Sequence, residues 1–472
     1  MHRFQLESAH TPAGWVRNVV ATVSEQGIIT ALAPAADRAG ADLGAGPAPP
    51  PIEQVRGVVV SGMANAHSHA FQRAMAGNTE YRLSARDSFW TWRNAMYALA
   101  NRVEPHELQT IATQLFVEML KSGYTTVAEF HYLHRRRDGT PYAGANALWD
   151  AVSRAAADAG IGLTFLPTLY QASDFGGRPL RADQARFESE TEAFIEAVAR
   201  RIEAQRRGEP ALRTHRTGIA FHSLRAVPLA NLHEVTRRLR EIDADLPIHI
   251  HVAEQILEVK ACQRETGKRP IELLLDTGLV DRHWCLVHAT HSAPAELERL
   301  AAAGAAVCVS ISTEANLGDG FFETARWLEA GGRLCVGSDS QSTVSPAEEL
   351  RWLEYQQRLR KKRRAVLSTR GDPHVGTRLW AGAARAGAVA LGQPAGAIEV
   401  GKRADFLVLD REHPAMAGGA DETALDRLVF AGGDAAIRDV MVAGQWVIRE
   451  RRHAREAEIR AAFGQVMRDS VS

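Results

Sequence analysis

His67-Ser68-His69 sets two imidazoles two residues apart at the end of the apolar run 58–69, V-V-V-S-G-M-A-N-A-H-S-H. On a β-strand, residues i and i+2 project from one face, so His67 and His69 stand side by side. Two imidazoles at a strand end suit a divalent ion such as zinc. The chain has 18 histidines, so one H-x-H decides little by itself. Its weight comes from company. His222, His251, His288 and Asp339 stand at the ends of four further apolar runs: G-I-A-F-H, P-I-H-I-H-V, W-C-L-V-H and R-L-C-V-G-S-D. Three neutral imidazoles and a carboxylate make a mononuclear site with one position left for a water, whose pKa falls towards about 7. Glu254, in H-V-A-E, follows His251 closely enough to pass a proton from that water to a leaving nitrogen. Taken singly, each residue has a structural explanation. A strand-end histidine hydrogen-bonds locally, Asp339 suits a helix N-cap, and Glu254 suits a helix first turn.

These side chains need a frame that brings strand ends together. Apolar runs ending near His67, His131, Leu166, His222, Val252, His288, Ser310 and Asp339 give eight strand candidates, separated mostly by helical patterns. Two of those patterns, 107–122 and 148–159, are closed by Gly123 and Gly160. Strands alternating with helices predict an α/β chain, a parallel (β/α)8 TIM-type barrel whose strand C-termini open on one face. No G-x-G-x-x-G or G-x-x-x-x-G-K follows a strand, which argues against an open nucleotide-binding sheet. Residues 1–60 and 396–472 read instead as strands and turns, including a hairpin over 440–448. They are expected to form the two halves of a small β-sandwich, the second with a terminal helix, around a metal-dependent barrel over 61–395. The proline-rich stretch 45–51 reads as a stiff connection.

In 472 residues, Lys+Arg and Asp+Glu both number 56, so the net charge is zero and neither a nucleic acid nor a membrane is an expected partner. The basic run 358–364 reads as a solvated helix face. Cys262, Cys285, Cys308 and Cys335 form no C-x-x-C and read as small buried hydrophobes in a reducing cytoplasm. No signal peptide and no apolar run of transmembrane length is legible.

H-S-H, H-x-x-E, the strand-end His288, G-S-D and the segment A-I-E-V-G-K-R-A-D-F-L-V-L-D at 397–410 together resemble the amidohydrolase superfamily and its deaminase branch, over nearly the whole chain. The segments H-A-F-Q-R-A-M-A-G at 69–77, F-W-T-W-R at 89–93, A-E-F-H-Y-L-H at 128–134 and H-S-L-R-A-V at 222–227 resemble more narrowly the formimidoylglutamate deiminases. That resemblance implies one Zn2+ per subunit, with Fe2+ also suited, held by His67, His69, His251 and Asp339. It implies Glu254, His288 and Asp339 as catalytic groups and a homodimer as the assembly. It further implies that Gln72, Arg93, Tyr132, His222 and Arg225 bind a small dicarboxylate, N-formimidoyl-L-glutamate, which is hydrolysed to N-formyl-L-glutamate and ammonia in histidine degradation. Binuclear members of the superfamily usually carry a bridging lysine on a middle strand. The six lysines here (121, 260, 268, 361, 362 and 402) end neither candidate strand 3 nor 4, which favours a single metal.

Two arginines make chemical sense for such a substrate, because the planar guanidinium matches a carboxylate bidentately. Arg93 has an alternative role, stacking between Trp92 and Tyr97. One rival reading is a deaminase of an aminated heterocycle of guanine or pterin type, which predicts an aromatic-lined pocket without two arginines. Another is a catalytically silent binding barrel, which would have lost a metal ligand or Glu254; none is lost.

Overall fold

The computed structural model describes residues 1–35, 51–81, 89–143, 146–208 and 214–471. Of the expected proline-rich connection only Pro51 lies among the described residues. Eight parallel strands close into a barrel: β1 (Met63–Ser68), β2 (Tyr124–His131), β3 (Gly162–Leu169), β4 (Ile219–Ser223), β5 (Ile248–Val252), β6 (Trp284–His288), β7 (Ala306–Val309) and β8 (Arg333–Val336). Each pairs in parallel with the next, and β8 closes onto β1 through Val336 and Asn65. These are the eight apolar runs of the sequence. They are apolar on both faces because one face fills the barrel and the other meets the surrounding helices. Helices α1 (Phe89–Ala100), α2 (Pro105–Ser122) and α3 (Ala147–Ala159) follow the first two strands, with α2 and α3 ending at Gly123 and Gly160 as their spacing predicts.

Both termini contribute to a second sheet. Its hydrogen-bonded order is Arg452–His453, Gln445–Arg449, Ile437–Val442, Phe406–Leu409, Ile52–Ser61, His2–Thr11, Gly14–Val23 and Ile29–Pro34. The two ends of the chain meet where Phe406–Leu409 runs antiparallel to Ile52–Ser61. Strand alternation divides this seam between two cores. Val59, Phe406, Val408 and Met441 join Phe4, Leu6 and Val19 in a core belonging to the terminal sheet. Val58, Val60, Leu407, Leu409 and Val440 face the other way, into the core shared with the barrel. The run Val58-Val59-Val60 is therefore apolar on both faces because each face has a core to bury. The terminal helix Glu456–Val466 lies against α2. The four cysteines are buried and unbridged, and no helix among the described residues is long and apolar enough to cross a membrane.

One buried acid outside the site sets a pH dependence of stability. Glu349, in the first turn of the helix Pro346–Lys361, is fully buried and accepts the backbone N–H of Ser312 at 3.2 Å, while its Oε1 has no partner among the described residues. Burial raises its carboxyl from the ordinary 4.5 to about 8. The folded protein therefore holds a proton there that the unfolded chain releases above pH 4.5. The carboxyl's own contribution to stability is greatest below that value and is lost as pH rises through about 8. Glu349→Gln keeps the shape and removes the titration, so its thermal melting is expected to vary less between pH 6 and about 8.5 than that of wild type. Identical pH slopes for the two proteins would refute this account.

Candidate metal centre and active site

The barrel's C-terminal rim collects the polar strand ends. β1 delivers His67 and, one residue past its end, His69; β5 delivers His251, and β6 ends at His288. Asp339 follows β8 and is tied to β1 by two backbone hydrogen bonds, His69 N–H to Asp339 O at 3.1 Å and Asp339 N–H to His67 O at 3.0 Å. This close approach requires Gly337. A Cβ there would lie 2.7 Å from His67 Cβ and 2.8 Å from its carbonyl oxygen. The glycine of the G-S-D motif is thus what lets the carboxylate reach the histidines. Backbone strain gathers at the same rim, where Ala253, His288, Ala289, Asp339 and Gln341 all have φ between 47° and 69°. Non-glycine residues hold this conformation only where their surroundings enforce it.

The donor atoms converge on a space of ionic size. His67 Nε2 lies 3.0 Å from His251 Nε2 and 3.2 Å from Asp339 Oδ1, and His69 Nε2 is 3.5 Å from the same oxygen. His69 Nδ1 sits 2.8 Å from the carbonyl of Phe130, and His251 Nδ1 is 2.9 Å from that of His222. A carbonyl only accepts, so each Nδ1 carries the proton and each Nε2 turns a lone pair inward. Burial holds His67, His69 and His251 below the usual histidine pKa, His69 at about 3, so their rings are neutral and able to donate to a metal. Lone pairs facing one another and a carboxylate are unfavourable alone and favourable around a cation. Tetrahedral zinc with ligands at about 2.0–2.1 Å separates its donors by about 3.3 Å, and the observed spacings bracket that value. The residues fit a divalent ion.

Glu254 and His288 stand beside this cluster. Burial lifts the Glu254 carboxyl to about 7, with His288 pulling it down and Asp339 pushing it up. Burial also opposes charge on His288, but Glu254, Glu314 and Asp339 outweigh it and raise the ring to about 10. His288 Nε2 is 3.8 Å from both Glu254 Oε1 and Asp339 Oδ2, and its Nδ1 is 3.3 Å from Glu314 Oε1.

One cavity is lined by His69, His251, Glu254, His288 and Asp339 together with Gln72, Arg93, Tyr132, His222 and Arg225. His67 lies just beneath, fully buried. All the residues expected from the sequence are therefore brought together. Gln72 Nε2 donates to Tyr132 Oη at 3.1 Å, and Gln72 Oε1 has no partner among the described residues. Arg93 and Arg225 each bury an Nε that has no acceptor among the described residues. Arg93 does stack, but on Trp90 at 4.4 Å and Tyr97 at 5.5 Å, and Arg225 lies 6.0 Å over the same Trp90. Helix α1 supplies Phe89, Trp92, Arg93, Met96 and Tyr97 to the wall of this cavity.

Sequence reasoning missed Glu314, Glu129 and Trp90. Glu314 had a faint signal, a carboxylate just past the C-terminal end of β7 in S-T-E. The other two became visible only through their spatial neighbours.

The match to known proteins spans this whole architecture. Residues 58–447 fit the family model described as the amidohydrolase family. The chain belongs to the amidohydrolase family. Formimidoylglutamate deiminase of Pseudomonas aeruginosa is 47% identical over 98% of both chains. A 5-methylthioadenosine/S-adenosylhomocysteine deaminase of Desulforudis audaxviator is 27% identical, covering 84% of this chain and 82% of its own. Among solved structures, an amidohydrolase from Brucella melitensis superposes over the full length of both chains with a TM-score of 0.90 at 40% identity. Amidohydrolases are metal-dependent enzymes, and the His/Asp cluster of this chain lies where an amidohydrolase barrel opens.

Proposed function

We propose that this chain hydrolyses the formimidoyl group of N-formimidoyl-L-glutamate, leaving N-formyl-L-glutamate and releasing ammonia. It would do so within histidine degradation, as a cytoplasmic homodimer with one zinc ion per subunit. The observation that supports the substrate is the pair Arg93 and Arg225, whose buried Nε atoms have no acceptor among the described residues and lie in the same cavity as the metal donors. A buried guanidinium N–H without an acceptor costs free energy. A dicarboxylate supplies acceptors in bidentate geometry, and a neutral ring amine supplies none comparable. The 47% identity to a formimidoylglutamate deiminase over nearly the whole chain supports the same reading.

His67, His69, His251 and Asp339 would hold the zinc ion, which when bound would supply a water acidified towards neutral pH. The water oxygen adds to the formimidoyl carbon, which is most electrophilic when the amidine is protonated. Glu254, poised at about 7, takes a proton from the water and returns it to the terminal nitrogen. That nitrogen departs as ammonia while a C=O replaces the C=N. Asp339 shares in the proton handling. His288, held at Nδ1 by Glu314, presents Nε2 to the reacting centre as a hydrogen-bond donor. Arg93, Arg225, Gln72, Tyr132 and His222 hold the glutamate carboxylates, so the reacting carbon meets the nucleophile in one orientation.

Ammonia release from N-formimidoyl-L-glutamate, N-formimidoyl-L-aspartate and guanine tests the assignment. The glutamate compound is expected to be the preferred substrate, and Arg225→Met is expected to lower its kcat/KM by about a hundredfold, mainly through KM, as loss of a charge-assisted bidentate contact does. Turnover of guanine with none of the glutamate compound would overturn the dicarboxylate reading and leave the metal centre standing.

A further inference from the structure

Glu129 lies on β2 with 1% of its surface exposed and forms no ion pair among the described residues. It does not line the cavity. Its Oε1 accepts the backbone N–H of Ala70 at 2.6 Å, and its Oε2 accepts the hydroxyl of Ser68 at 2.8 Å. Ser68 and Ala70 flank His69 in the chain, and Ser68 also separates it from His67. The carboxyl therefore holds the chain on both sides of His69.

The hydrogen bonds continue in one direction across to β8. Ser68 Oγ accepts from Gln341 Nε2 at 3.1 Å, and the same amide donates to the carbonyl of Asp339 at 2.6 Å. Gln341 Oε1 accepts from Ser338 Oγ at 2.7 Å, and Ser338 Oγ accepts from Asn65 Nδ2 at 2.7 Å. Asn65 Oδ1 in turn accepts the backbone N–H of Ser338 at 3.0 Å. Asn65, Ser68, Ser338 and Gln341 are each at most 2% exposed. From Asn65 Nδ2 through Ser338, Gln341 and Ser68 the donors point in turn towards Glu129, where the run ends, with one side branch from Gln341 to the Asp339 carbonyl. The chain bridges the backbone beside His67 and His69 to the backbone beside Asp339, and it holds Gln341 at its strained φ of 65°.

We infer that Glu129 is a positioning residue of the metal centre, acting through Ser68 and Ala70 to fix the two β1 histidines against Asp339. Partners behind metal ligands set ligand orientation, and their loss typically costs 10–100-fold in metal affinity. Glutamine at this position puts an NH2 group where the carboxylate form of Glu129 has a second acceptor oxygen. In Glu129→Gln, either the Ala70 N–H or the Ser68 hydroxyl faces an NH2 group, and the direction of the chain is broken at its end. Ser68→Ala breaks the same chain in the middle and leaves the carboxyl in place.

This inference rests on the metal reading of the site and is independent of the substrate. It is tested by competing zinc against a chromogenic chelator, beside thermal melting of the metal-free proteins. Both variants are expected to bind zinc 10–100-fold more weakly than wild type, and the double variant no more weakly than the worse single one, because both cut one chain. Activity of the variants is expected to recover at saturating zinc. A lowered melting temperature of the metal-free protein with wild-type zinc affinity would make Glu129 merely structural and overturn the inference. If Glu129→Gln fails to fold, wild-type affinity in Ser68→Ala overturns it equally. A wild-type protein that holds no zinc at all would remove the metal reading itself, and this inference with it.

Discussion

Glu254→Gln is expected to fold and bind zinc normally yet lose about a thousandfold in kcat, with KM changed little. The side chain is carried just past β5, buried enough that its carboxyl sits at about 7, and placed 3.8 Å from His288 Nε2. Glutamine preserves its volume and one acceptor but cannot hold or return a proton. A general acid–base group at its working pKa contributes typically 10²–10⁴-fold, and here one residue serves two transfers. In the proposed mechanism Arg93 and Arg225 bind the dicarboxylate, so the loss is expected to fall on kcat. The pH profile follows with its sign. The carboxylate form has to receive the water proton, so kcat/KM of wild type is expected to fall as pH drops below about 7, where Glu254 becomes protonated. A Glu254→Gln enzyme retaining a tenth or more of wild-type kcat would assign the proton shuttle elsewhere, with Asp339 the next group to examine.

The outline of the site was legible in the sequence because each part of it obeys a short-range rule. An H-x-H at the end of an apolar strand fixes two ligands on one face without knowledge of the rest of the fold. His251, His288 and Asp339 were found because barrel strands are apolar on both faces, so a polar residue ending one stands out. What was not legible depends on distant neighbours. Glu129 looks like any acid in a strand until Ala70, about sixty residues earlier, turns its N–H towards it. Glu314 matters only because β6 and β7 lie side by side and set His288 against it. The stacking alternative for Arg93 names Trp92 and Tyr97, yet helical geometry puts Trp90, at i−3, on the face it shares with Tyr97 at i+4. The assignment of Val59 and Val60 to different cores required knowing that both ends of the chain meet at that strand.

Asp339→Asn probes the other half of the chemistry, and its effect is expected to be at least as large. Asp339 is the single anion among the four donors, 3.2 Å from His67 Nε2 and 3.5 Å from His69 Nε2. Its carboxyl is held well below the usual carboxylate range: burial pushes upward, but the neighbouring His67, His288 and His69 outweigh it. An amide has nearly the same shape but no charge, so the ion would be left with neutral ligands in a buried site. It would also remove the acceptor 3.8 Å from His288 Nε2. Activity is expected to fall by a thousandfold or more, about 4 kcal/mol of barrier, with zinc affinity falling in the same variant. Chelation of wild type should give the same loss and zinc should reverse it, whereas added zinc should restore Asp339→Asn only in part. The two readouts separate the roles of the carboxylate. An inactive variant that keeps wild-type zinc affinity would make Asp339 a proton-handling group and pass its place as ligand to the three histidines and a neighbour such as His288. An active one would mean that the cluster at the barrel mouth does not power the hydrolysis, and that Glu254 works without the ion its neighbours are built to hold.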